Sequence, residues 1–185
     1  MAARLLIPLL VVLLAGSHAA LASSTVEQTC ANATKGSERR DLDAFCVTTL
    51  QAAPGSATAD AHGLAVIATN LTLANYTAAV ATIKALQRRG GWTDGQLAAL
   101  ATCRQRYIEA LNVVHSAVHA LATGRKQAYV ADMGAVRRAA TDCDDAFAGA
   151  RGAAAAGKKD ESPLGKVNAD AVDLTTVAML IVISL

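Results

Sequence analysis

From Asp60 to the end of this chain, apolar residues recur at alternating steps of three and four, the spacing that lines one face of an α-helix. Four stretches carry the pattern. The first, about Asp60 to Gln87, strings Leu64, Ile67, Leu71, Ala74, Ala78 and Ala81 along one seam and stops at Gly90-Gly91. The second runs from about Asp94, placed to cap it, to Leu121, with Leu97, Leu100, Tyr107, Leu111, Val114 and Val118 in the same rhythm. Gly124 breaks the chain, and the third stretch, about Lys126 to Ala150, presents Tyr129, Met133, Val136, Ala140, Cys143 and Phe147 together. Arg151 to Pro163 has no period and reads as an exposed linker. The last stretch, about Val167 to Leu185, returns Val167, Ala171, Leu174, Ala178, Ile181 and Leu185 to the core.

Four seams joined mostly by short breaks predict an all-α fold, an up-down four-helix bundle over residues 60–185; the longer fourth connection also permits another route. Residues 23–59 do not share the repeat. Their Leu42 to Leu50 portion is a candidate short helix, so this region is expected to form an N-terminal helical hairpin. Ahead of it, Arg4, the apolar run Leu5 to Leu14 and the small-x-small triplet Ala20-Leu21-Ala22 read as a signal peptide, residues 1–22. That run is too short to cross a hydrocarbon core of ~30 Å as a helix. The expectation is a secreted chain whose mature domain, 23–185, starts at Ser23.

Composition supports close helix packing. Apolar residues make up 53% but aromatics only 3%, and alanine combines high helix propensity with little bulk between helix axes. With a net charge of +2 and no basic cluster interleaved with aromatics, nucleic acid is not an expected partner, and nothing marks a membrane surface. The apolar tail Val177 to Leu185 resembles a lipid-anchor signal only loosely, because the pattern carrying it includes Asp170 and Asp173; a buried last helix accounts for it.

The four cysteines, Cys30, Cys46, Cys103 and Cys143, all follow the expected cleavage site, and an even number in an oxidising compartment normally pairs. Arithmetic allows three connectivities. Cys30 and Cys46 flank a polar, turn-rich stretch from Asn32 to Asp43 that can fold back on itself, which leaves Cys103, on the inner side of its helix, to reach Cys143 on the third seam. Sequons at Asn32, Asn70 and Asn75 are candidate N-glycosylation sites; the last two are expected on the outer face of the first long helix.

A catalytic constellation is missing, so no catalytic residue, cofactor or metal is expected. His115 and His119 lie one turn apart without a third ligand, and there is no CxxC. His62 reads as surface. Asp142, Asp144 and Asp145 crowd Cys143 but diverge around a helix, and Arg104, Arg106, Arg137 and Arg138 read as solvated faces that could alternatively meet an acidic partner. Trp92, the single tryptophan, fits two roles equally: plug of the bundle end, or interface anchor.

Taken together, Phe45-Cys46-Val47 with Leu50 and Pro54, Ala98-Ala99-Leu100 with Cys103, Tyr107 and Ala110-Leu111, Ala139 to Cys143 with Phe147, and Ser162-Pro163-Leu164 before Asn168 resemble the plant invertase and pectin methylesterase inhibitor family. The resemblance spans nearly the whole mature chain. It implies a four-helix bundle with a helical hairpin, disulfides joining first to second and third to fourth cysteine, and export to the cell-wall space, with the vacuole as the other destination. It also implies an inhibitor that docks a helix face over the cleft of a carbohydrate-active enzyme, without being an enzyme itself. Two departures stand out. The stretch between the first two cysteines is longer and more charged than the compact family hairpin, with no tyrosine before Phe45, and Lys126-Gln127-Ala128 stand where invertase-type members carry Pro-Lys-Phe. Gly124 and Asp132-Met133 resemble the invertase branch nonetheless. The expected target is therefore pectin methylesterase, with acid invertase as the alternative and a non-inhibitory binding bundle as the second.

Overall fold

The computed structural model describes residues 19–150 and 162–185, with side-chain surroundings from residue 25 onward. The apolar run of the expected signal peptide and most of the expected linker lie outside the described residues. Among the described residues six α-helices follow one another: α1 (Ala19–Thr34), α2 (Asp41–Gln51), α3 (Ala61–Arg89), α4 (Asp94–Ala122), α5 (Lys126–Ala150) and α6 (Gly165–Ser184), with a 3-10 turn at Ser56–Thr58. Among the described residues there is no strand.

Local chemistry fixes the helix ends. The Asp60 carboxylate accepts from the Gly63 N–H at 2.7 Å and caps α3. At the far end Gly90 and Gly91 take φ of 73° and 78°, conformations open to glycine, while Arg88 and Arg89 face the negative end of the helix dipole. The expectation that Asp94 caps α4 is corrected: Thr93 and Gln96 form a reciprocal capping box, and Asp94 is the first helical residue, where its charge favours the dipole.

Helices α3 to α6 close a ring, each packed on its neighbours in sequence and α6 on α3. Cross-links set their directions. The Thr69 and Tyr129 hydroxyls share a hydrogen bond of 2.7 Å and Tyr76 Oη donates to the Val136 carbonyl at 2.9 Å, so α5 runs the same way as α3. Lys126 Nζ donates to the Ile183 carbonyl at 2.7 Å and Asn168 Nδ2 to Asp144 at 2.5 Å, so α6 runs opposite to α5. Helix α4 is tied to α5 by the Cys103–Cys143 disulfide, with 4.6 Å between their Cα atoms, an approach that Ala99, Ala139 and Ala140 permit around it.

The core departs from the sequence pattern mainly in two helices. All six expected seam residues of α5 are buried, and in α6 Ala171, Leu174, Ala178 and Ile181 are, while Val167 is half-buried and Leu185 exposed. In α3, however, Ala74, Ala78 and Ala81 face solvent, Ile67 and Leu71 are half-buried, and the core is built by Ala68, Thr72, Tyr76, Ala79 and Ile83. In α4, Leu97 and Val118 are exposed and Leu111 is half-buried, while Ala99, Cys103, Ala110 and Ala117 are buried. In α3 the physical reason is that polar residues can enter the core once satisfied. Thr69, Thr72 and Thr175 each donate to a carbonyl four residues back, at 2.7, 3.0 and 2.6 Å. All three tyrosines are fully buried and hydrogen-bonded, Tyr107 donating to Asn168 Oδ1 at 2.7 Å.

The hairpin α1–α2 is joined by the Cys30–Cys46 disulfide, and α1 packs chiefly on α6. Its connecting turn is anchored by Arg39, which pairs with Asp41 and with Asp173 on α6, at 2.5 Å for the second. These contacts hold the Asp41 carboxyl below the usual carboxylate range, chiefly through its hydrogen bond from Arg39.

Candidate interaction surface

The charged residues noted in the sequence do not converge. Asp142 pairs with Arg106 across α4 and α5 at 3.4 Å, Asp144 accepts from Asn168, and Asp145 is exposed one turn along α5 from Asp142. His62, His115 and His119 are exposed, as are Arg104, Arg137 and Arg138. Among the described residues no group of three metal-ligating side chains comes together. Trp92 is half-buried against the core, its Nε1 donating to the Leu86 carbonyl at 2.7 Å and its ring lying 5.0 Å under the Arg89 guanidinium. It closes the α3–α4 end of the bundle.

What the fold does offer is an outward stripe on α4. Leu97, Ala101, Arg104, Ile108, His115 and Val118 recur by threes, fours and one sevenfold step, and therefore line one side of the helix beside its buried face. Leu97 and Ile108 are each 41% exposed and Val118 is 37%. Ile108 and Arg104 also border an open groove of about 430 Å³ between α4 and Gln87 of α3. Exposed aliphatic side chains flanking Arg104, on a helix tied to α5 by a disulfide, suit contact with a protein partner. The sequence pattern places Leu97 and Val118 inward and does not single out Ile108. The available signal was the second three-four series running beside the first.

A second depression, about 230 Å³, lies at the opposite end between His62, Leu121, Gly124, Lys126, Val182 and Leu185. Val177, Ala178, Ile181 and Val182 of the apolar tail are core residues there, which accounts for the hydrophobicity of the last helix.

Against this geometry, the family model described as plant invertase/pectin methylesterase inhibitor matches residues 24–181. The chain belongs to that family. Its members are inhibitor proteins, not enzymes. The inhibitor fold is also seen in two solved structures from Arabidopsis. A mutant form of a pectin methylesterase inhibitor aligns with a TM-score of 0.66 at 19% identity, covering 82% of this chain and 95% of that one. A pectin methylesterase inhibitor from Arabidopsis thaliana aligns with a TM-score of 0.57 at 19% identity, covering 86% and 95%. No curated protein matches the sequence significantly. In this inhibitor-family chain Lys126, first of the three residues standing in place of Pro-Lys-Phe, is bound to the end of α6 through the Ile183 carbonyl, and Gln127 is exposed.

Proposed function

We propose that this chain inhibits a pectin methylesterase, laying the outward stripe of α4 across the enzyme's cleft, and that it does so in the cell-wall space after removal of residues 1–22. The family match over residues 24–181 carries the inhibitor reading. The choice of enzyme is supported by the Lys126-Gln127-Ala128 departure and by the two Arabidopsis inhibitors whose fold it shares. Physically, a bundle stapled by two disulfides has little freedom to lose on docking, so contact area converts into affinity more fully than on a mobile surface.

The purified chain from Ser23, mixed with plant pectin methylesterases and with acid invertases at acidic pH, is expected to lower the first activity and spare the second. Loss of invertase activity alone would transfer the reading to the other branch of the family. Unchanged activity of both would sink it. Placing a charge on the stripe with Ile108→Glu is expected to weaken inhibition about tenfold or more, as for a central contact residue, with little change in the thermal midpoint because the residue is partly exposed.

A further inference from the structure

The three sequons are not equivalent once the chain is folded. Asn32 lies on α1 and is exposed, on the side away from Val26, Cys30 and Ala33, which are buried. Asn70 is exposed on α3. Asn75, only five residues further along the same helix, is turned by about 140° relative to Asn70 at 3.6 residues per turn. That rotation carries it to the margin of the buried seam, beside Thr72 and Ala79. Its Oδ1 is buried and takes no hydrogen bond from the protein. The expectation that both α3 sequons face outward is therefore corrected for Asn75.

From this we infer that Asn32 and Asn70 are the glycan-bearing positions of this chain and that Asn75 stays bare in the folded protein. The inference rests on entry into the secretory pathway, which forms part of the function proposed above. In the transfer, the asparagine Nδ2 gives up one hydrogen as a proton and bonds the anomeric carbon of an oligosaccharide. The sugar's bond to its lipid diphosphate carrier breaks, and the carrier leaves with the electron pair. The reaction takes place on the chain before it folds, so burial of the sequon hydroxyls afterwards is no obstacle. Thr34 bonds the Cys30 carbonyl at 2.9 Å and Thr72 the Ala68 carbonyl at 3.0 Å in the finished fold.

The folded state decides which modified asparagine it can accept. A sugar on Asn70 or Asn32 projects into solvent and leaves every core contact in place. One on Asn75 is joined to the amide whose oxygen is buried at the margin of the seam, so seating the sugar turns that side chain outward from its place beside Thr72 and Ala79.

The test is made on the chain from Ser23 secreted by yeast behind a yeast leader, so that transfer does not depend on this chain's own amino terminus. Mass spectrometry of peptides from the folded, secreted protein, before and after endoglycosidase treatment, is expected to find sugar on Asn32 and Asn70 and none on Asn75. Asn32→Gln and Asn70→Gln should each remove one endoglycosidase-sensitive mobility step, and Asn75→Gln should remove none. Sugar on Asn75, or a bare Asn32 or Asn70, overturns the inference. The peptide measurement on the parent chain stands even if a variant fails to fold. Export directed by the chain's own residues 1–22 is scored separately with the full-length protein, so failure there counts against the secretion reading alone.

Discussion

Burial pushes the hydroxyls of Tyr76 and Tyr129 up to about 12, against an ordinary value of 10.0. Hydrogen bonds with Thr175 and Thr69 respectively pull the other way without reversing the effect. Tyr107 is pushed up as well, first by burial and then by its neighbours Tyr76 and Asp144. The sign of the linkage follows. An unfolded chain releases these protons near pH 10, whereas the folded chain keeps them, so their contribution to stability is complete below pH 10 and is lost as pH rises through about 12. Tyrosinate absorbance is therefore expected to appear together with loss of the helical circular-dichroism signal, in one steep step between those values. A smooth tyrosine titration centred near 10 with helix content intact would contradict the buried network.

At the level of elements, the two disulfides act on different things. Cys103–Cys143 closes a loop of 40 residues and joins two bundle helices through the core, so the paired Cys103→Ala, Cys143→Ala variant is expected to lose about 4 kcal/mol on the chain-entropy account. Denaturant unfolding measures it, and a variant as stable as its parent would refute the assignment. Cys30–Cys46 closes only 16 residues and governs the hairpin; its loss should speed hydrogen exchange in α1 and α2 before the bundle itself opens.

Helix boundaries were legible in the sequence because glycines, Asp60 and the Thr93 region punctuate it. The α5 seam was legible too, since its large apolar residues occupy one face. The seams of α3 and α4 were not. There alanine lies on both faces and gives no direction, while threonine and tyrosine enter the core with their polar atoms already satisfied. The same ambiguity hid the α4 stripe and misplaced Asn75. Helix α1 carried a weaker signal still, because Ser23 to Thr34 is polar and short in large apolar residues, and it becomes a helix by packing Val26 and Cys30 inward against α6.

The molecule as a whole combines a ring of four helices, a hairpin riding on α6 and one side of α4 on which aliphatic side chains stand exposed. Helices α3 and α6 are each long and apolar enough to cross a bilayer by length and composition, yet many of the residues that make them so are core residues here. Trp92 sits where α3 hands over to α4, pinned by the Leu86 carbonyl and roofed by Arg89, five residues before Leu97 begins the stripe. As the sole indole of the chain, it gives the protein a built-in fluorophore at the edge of the proposed docking face. Emission from that ring should shift when a target covers the start of α4, so binding becomes readable by light with no label attached, provided the target's own tryptophans are subtracted in a Trp92→Phe control.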